Sequence, residues 1–381
     1  MPFYACPPAC LVILLLVLSV AVPVTATTID PDLDLDAIVI NSVETSGAQG
    51  FPNVIDPADP LFNAPMYTKS YKDEIALAVA DPAVFAHFKS KDVLPTTHII
   101  LFDWYLHGGI MHKANQCLSY YAPWLLDHLP ALAAQDLAVG SPAVNTFPIP
   151  SPLITGLGLS KDTAVNASPN VVKYLYELLL IERAFAPTIA PAMNAFRGMR
   201  IVEIGGGYGG FAHTIATFHN VQSYTIVDID VVNSLQKLYL AAIKSPAAEK
   251  MEYIGTTSVP GRDATADPKY DLFLSFFSIS EQRTIAVDAY ARHFMARSTR
   301  GYLQLNYDED ISVDGSVTAS TGRYNVLQLF RLVLTMHPTA RLLGPAPCGV
   351  YEHVRIVGGG AVGGEFMPRA LDSEGREASW R

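Results

Sequence analysis

The amino-acid sequence predicts an α/β fold: a doubly wound, mostly parallel sheet of seven strands, preceded by a mainly helical region. Three features carry the prediction. Between residues 199 and 307, short apolar, β-rich runs ("MRIVEIG", "SYTIVDI", "MEYIG", "YDLFLSFF", "GYLQLNY") alternate with segments that in several places have helical spacing. This is the pattern of parallel strands covered on both faces by helices. The first run leads directly into "GGGYGG", at the strand-to-helix junction where such sheets hold ligands. Finally, "ARLLGPAPCGVYEHVRIVGGG" reads as two strands joined through a Gly/Pro turn, an antiparallel pair that closes the sheet.

Taken in chain order, residues 1–26 form a targeting segment. The apolar stretch from Leu11 to Val22 is short for a span of about 20 residues, and Val24-Thr25-Ala26 has the small-residue pattern of a cleavage site. Residues 1–10 contain no Lys or Arg, so a secretory signal peptide and an uncleaved anchor through residues 11–22 both stay open. Either form sends the body into the secretory pathway, to the ER or Golgi lumen or outside the cell. If cleavage follows Ala26, Cys6 and Cys10 are lost, leaving Cys117 and Cys348 either as one disulfide or as two buried thiols. Asn166-Ala167-Ser168 is the one glycosylation sequon, with Pro169 directly after it.

Residues 27–167 are punctuated by Pro, Asp and Gly around helical patterns such as "YKDEIALAVADPAVFAHF" and "NQCLSYYAPWLLDHL". This mainly helical, loop-rich region is placed to cover a site. Its aromatics Trp104, Tyr105, Tyr120, Tyr121 and Trp124 are a carbohydrate platform or, more economically, core. The sheet domain spans residues 168–360 and opens on the helical run "SPNVVKYLYELLLIERAFAPTI"; residues 361–381 read as a flexible tail. A net charge of -10 and the lack of any Lys/Arg run argue against nucleic acid as a partner.

The glycines fit two templates: Gly205-x-Gly207-x-x-Gly210 suits a dinucleotide, Glu203-x-Gly205-x-Gly207-x-Gly209 suits S-adenosylmethionine. Gly206 and Tyr208 complete the loop. A carboxylate at the end of the first strand would repel a pyrophosphate, whereas a cofactor with an ammonium and a sulfonium can use it. Glu203 therefore favours the methyl donor. Asp228, ending the second strand, can accept both ribose hydroxyls. After the fourth strand, the Ser278–Glu281 cluster lies beside the position of the reactive methyl, where Glu281 can reach an acceptor hydroxyl or the donor. Ser280 and Glu281 equally suit the cap of a following helix.

The blocks "SPNVVKYLYELLLIERAF", "VEIGGGYGGFA", "YTIVDIDVVNSLQKLYL", "YDLFLSFFSISEQ" and "RGYLQLNYD" together resemble the sugar O-methyltransferase family, over roughly residues 168–310. The resemblance implies a class I, Rossmann-like methyltransferase fold and methyl transfer from S-adenosylmethionine to a sugar or glycan hydroxyl. Glu203, Gly205, Gly207 and Gly209 match the family's donor loop, Asp228 its ribose acid and Glu281 the acid after the fourth strand. Phe276-Phe277-Ser278-Ile279 and Asp228-Ile229-Asp230 depart from the family's usual residues.

The chemistry implied is an in-line displacement at the sulfonium methyl, with a general base or a metal to help a protonated hydroxyl attack. Candidate bases are Glu281, Asp308 in "LNYDED", His213 and His293; a lone helical His is more often structural. Asp308-Glu309-Asp310 could hold a divalent ion, although solvated loop acids account for the run more simply. Tyr208 is placed to lean over donor or acceptor. Two other readings stand beside the sugar enzyme: a methyltransferase for a different hydroxylated acceptor, and a glycan-binding protein that kept the fold without turnover.

Overall fold

The computed structural model describes residues 69–98, 109–149, 163–185, 196–263, 268–305, 324, 326–343, 348 and 355–359. All of these lie in one compact unit, Val54–Arg381. The targeting segment, Trp104, Tyr105, residues 308–310 and the tail 361–381 fall outside the described residues. Among the described residues no helix is long and apolar enough to cross a membrane.

The N-terminal region is built from α1 (Lys69–Ala80), α2 (Pro82–Phe85), α3 (Pro95–His98), α4 (Gly109–Tyr121), α5 (Pro123–Leu126) and α6 (Leu129–Leu137). Pro at the first position starts α2 and α5, where its missing N–H costs nothing. A hairpin of β1 (Asn145–Ile149) and β2 (Thr163–Ala167) follows, antiparallel, pairing Phe147 with Val165. The sequence predicts only loop here, because the prolines of "NTFPIPSP" mask a two-stranded ribbon; Pro148 is tolerated since neither strand has a second neighbour. Asn166 is exposed on this ribbon, its side-chain oxygen accepting from Thr146 Oγ1 at 2.9 Å.

Helix α7 (Pro169–Phe185) leads into the sheet domain and is buried almost all round. Apolar residues make up most of its length, and it packs against α4, α6 and α8 within one hydrophobic core shared with Ile201, Tyr224 and Leu272 of the sheet. Then come β3 (Arg200–Ile204), α8 (Gly210–Phe218), β4 (Ser223–Asp228), α9 (Asp230–Ala242), β5 (Met251–Gly255), β6 (Tyr270–Phe276), α10 (Ser278–Glu281), α11 (Thr284–His293), β7 (Ser298–Gln304), α12 (Val326–Met336), β8 (Arg341–Leu343) and β9 (Arg355–Gly358).

The seven-stranded sheet has the order β5-β4-β3-β6-β7-β9-β8. β3, β4, β5, β6 and β7 run parallel, and β9 is antiparallel to both β7 and β8. The doubly wound, mostly parallel sheet and its closing antiparallel pair are thus as the sequence predicts. Alternation along each strand divides the core. Ile201, Tyr224, Ile226, Leu272, Leu274 and Tyr302 face α7, α8 and α9, while Val202, Ile204, Phe273 and Leu303 face α11 and α12. Chain order reverses between β3 and β6, so the crevice beyond their carboxyl ends is the topological switch point.

Cys117 of α4 is joined to Cys348 by a disulfide spanning 231 residues, which ties the N-terminal helices to the last strand pair. A cross-link closing so long a loop restricts the unfolded chain strongly, typically by about 2–4 kcal/mol. Reduction, or Cys117→Ser, is expected to lower the denaturant midpoint accordingly. Identical midpoints with and without reductant would refute this.

Candidate active site

The glycine loop sits at the switch point. After β3 the backbone turns through Gly205 at φ 76° and Gly207 at φ 55°, left-handed conformations that side chains with a Cβ rarely adopt. A Cβ on Gly205 would run into the Ser278 side chain, so the loop after β3 and the cluster after β6 touch only because residue 205 is bare. Around Gly207, by contrast, nothing lies within 4 Å of where a Cβ would be, and this is the open side of the loop. Gly209, at φ 92°, caps α8.

Both strand-end acids flank this loop. Glu203 is buried on the α7 side of the sheet and accepts a hydrogen bond from the Tyr224 hydroxyl at 2.8 Å. Burial pushes its carboxyl up to about 8, against the help of that bond and with the negative potential of Glu177 and Asp228 adding to the rise. Asp228 is half-buried, with Oδ1 accepting from the Ile229 N–H at 2.8 Å and Oδ2 from Gln236 Nε2 at 3.0 Å. Desolvation raises its carboxyl to about 7. The same Gln236 amide donates to the Gly207 carbonyl at 2.8 Å, so one buried side chain of α9 sets the spacing between the acid and the loop. Gln236 lies inside the block quoted for β4, but nothing in its own residue type marks it.

The third acid, Glu281, ends α10 and is half-buried. The chain enters α10 through Phe277, a non-glycine residue at φ 66°. Its N–H donates to the Gln304 carbonyl at 2.7 Å, and its carbonyl accepts from Ser280 Oγ at 2.6 Å. A conformation of this kind costs on the order of 1–3 kcal/mol and persists where the surroundings over-determine it, often at functional sites. Ser280 thus braces this turn, while the following helix α11 has Arg283 at its N-cap and no side-chain cap.

Tyr71 of α1 carries no mark of a site residue in the sequence. It is buried, and its phenol feels both Asp228 and Glu281, whose charges add to desolvation in pushing its ionisation upward. Helix α1 packs along α9, the helix that follows Asp228, and this brings the Tyr71 phenol within electrostatic range of both acids. The only sequence signal is the apolar stripe Tyr71, Ile75, Ala78, which reads as core.

Two expected site residues are placed differently. The ring of Tyr208 is turned into the core, enclosed by Phe88, Tyr174 and Tyr239, with its hydroxyl 3.3 Å from Asp136 Oδ1. It anchors the loop from beneath and does not lean over a ligand; only its backbone belongs to the loop surface. His213 is buried on α8 with Nδ1 2.9 Å from Ser245 Oγ and Nε2 3.1 Å from Gln135 Oε1. Burial lowers its imidazole to about 4. Both nitrogens of His213, a candidate base on the sequence, thus have partners within the fold. His293 is likewise buried, in the last turn of α11. Asp308 lies outside the described residues. Of the aromatics, Tyr120 is 62% exposed, and Tyr121 and Trp124 pack against the core. Among the described residues no group of His, Cys, Asp and Glu could hold a metal ion.

The site thus lies at the carboxyl ends of a doubly wound, mostly parallel, Rossmann-like sheet. Searches against protein-family models and against curated proteins return no match. Among solved structures, the chain is similar to the N-terminal domain of EvdMO1 crystallised with SAH and D-fucose, at 15% identity and a TM-score of 0.34, over 49% of this chain and 82% of that one. It is also similar to the O-methyltransferase NcsB1 from neocarzinostatin biosynthesis, in complex with S-adenosyl-L-homocysteine and 1,4-dihydroxy-2-naphthoic acid. There the identity is 14% and the TM-score 0.31, over 50% of this chain and 58% of that one.

Proposed function

We propose that the protein binds S-adenosylmethionine at this switch point and transfers its methyl group to a hydroxyl of a sugar or glycan in the secretory pathway. The observation that carries the donor assignment is the pairing of two strand-end carboxylates, Glu203 and Asp228, around a glycine loop whose open side is at Gly207. Such a site disfavours a pyrophosphate and suits a cationic donor with a free ribose. The sugar acceptor is supported by the family-like blocks at residues 168–310. The Cys117–Cys348 disulfide supports an oxidising compartment.

In the reaction the acceptor oxygen attacks the methyl carbon opposite sulfur. An O–C bond forms as the C–S bond breaks, and its electron pair stays on sulfur to give the neutral thioether. Glu281 takes the hydroxyl proton.

Asp228→Ala is expected to weaken S-adenosylmethionine binding at least about a hundredfold, since two ribose hydroxyls lose a charged acceptor. Calorimetry on the folded variant reads this directly; unchanged affinity would overturn the donor site. Mass spectrometry of a glycan pool after incubation with protein and donor tests the acceptor, with a gain of one methyl group expected and a methylated non-glycan hydroxyl opposing it.

A further inference from the structure

The first two turns of α7 belong to the same crevice. Tyr174 occupies the space that a Cβ on Gly210 would need, and Lys173 Nζ lies 5.7 Å from the centre of the Phe277 ring, at the carboxyl end of β6. One turn deeper on the same helix is Glu177, 1% exposed, with neither carboxylate oxygen hydrogen-bonded among the described residues. Its one ionic neighbour there is Lys173 Nζ at 3.7 Å, beyond hydrogen-bond length. Glu177 lies near enough to Glu203 to oppose its ionisation, and Lys173 near enough to favour it. A cation and two carboxylates are thus gathered on the α7 side of the glycine loop, one carboxylate desolvated without return. Buried acids in that condition are rare in a packed interior, and a ligand bearing hydrogen-bond donors satisfies them.

We infer that Lys173 and Glu177 form the subsite for the zwitterionic α-amino-acid end of the donor, Lys173 receiving its carboxylate and Glu177, with Glu203, its ammonium. The inference rests on the donor reading above and deepens it. Asp228 on the far side of the loop holds the ribose, so the two groups of residues grip opposite ends of one extended molecule. The signs match. An ammonium and a carboxylate on a single carbon meet an ammonium and a carboxylate one helical turn apart. The arrangement also gives a role to Lys173 and Glu177, two charges in the middle of a largely buried helix.

The test compares three ligands on the full chain by calorimetry: S-adenosylmethionine, S-adenosylhomocysteine, and 5′-methylthioadenosine, which lacks the amino-acid end. Lys173→Met and Glu177→Gln are each expected to weaken the first two by roughly ten- to a hundredfold and to leave 5′-methylthioadenosine within about twofold of the unaltered chain. Lys173→Arg should restore much of the affinity. Equal weakening of all three ligands would show a structural role and overturn the inference, as would unchanged binding of all three. Glu177→Gln is isosteric and Lys173 lies at the edge of the core, so both variants retain the fold; a melting transition verifies it. If the unaltered chain binds 5′-methylthioadenosine but neither ligand with the amino-acid end, the subsite is wrong and the nucleoside site stands. Binding none of the three overturns the donor reading itself, and the subsite with it.

Discussion

Asp136→Ala is expected to destabilise the protein by about 3–5 kcal/mol, because it leaves a buried ammonium without its counter-charge. Asp136 Oδ1 receives Lys89 Nζ at 2.6 Å, the Tyr239 hydroxyl at 2.8 Å and the Tyr208 hydroxyl at 3.3 Å. Lys89 is 1% exposed, donates also to the Asp136 carbonyl at 3.0 Å, and lies 4.8 Å and 4.5 Å from the centres of the Tyr208 and Tyr239 rings. Burial lowers the ammonium's pKa while Asp136 opposes that change, so Asp136 is what makes a charged lysine tolerable there. The pair joins four pieces of chain: the turn after α2, α6, the glycine loop and α9. Removing both charges with Lys89→Met and Asp136→Leu is expected to recover much of the loss, since a buried ion pair gains little over a well-packed apolar pair. Denaturant unfolding of the two variants provides the check. A loss below about 1 kcal/mol for the single change, or a double variant no better than the single, would show that the charge is not stranded.

The parts of this molecule legible in the sequence are those that repeat a local period or use a scarce residue. The central strands β3, β4 and β6 announce themselves because strands buried on both faces are largely apolar, and the loop at 205–210 because left-handed turns and close contact with Ser278 and Tyr174 demand glycine. Glu203 and Asp228 could be found because they stand at fixed places relative to those glycines. The residues that escaped are brought in by tertiary contact. Tyr71, Lys89 and Asp136 lie far before the glycine loop in the chain, and no spacing rule connects them to it. The sequence places Tyr208 and His213 beside the donor because both are close to the glycines in number. The fold turns both side chains away from the loop surface instead: Asp136 and Gln135 of the N-terminal region and Ser245 after α9 receive them. Cys117 and Cys348 illustrate the same limit: two cysteines 231 residues apart permit a disulfide, and only the tertiary fold brings them together to make one.

The ligand-free protein is expected to lose stability as pH rises from about 4.5 to about 8, and the donor to bind more tightly over the upper part of that range. Both follow from Glu203. Its carboxyl is raised from an ordinary 4.5 to about 8, chiefly by burial, and Glu177 and Asp228 are each raised to about 7 for the same reason. The folded chain therefore holds more protons than the unfolded chain within this window. The stabilisation is complete below the unfolded value near 4.5 and is lost as pH climbs through the folded values. A tenfold difference in proton affinity between the folded and unfolded chains corresponds to about 1.4 kcal/mol, so the loss from Glu203 alone is several kcal/mol. A cationic donor reverses the balance by favouring the ionised carboxylates, and its binding should expel protons near neutral pH. Calorimetry in two buffers of different ionisation enthalpy measures that release, and melting curves across the window measure the stability. Glu203→Gln is expected to flatten the upper part of the stability profile, to remove part of the proton release and to weaken the donor. Donor affinity that stays flat between about pH 6 and about pH 8.5, with no proton released, would mean that these acids do not face the cation.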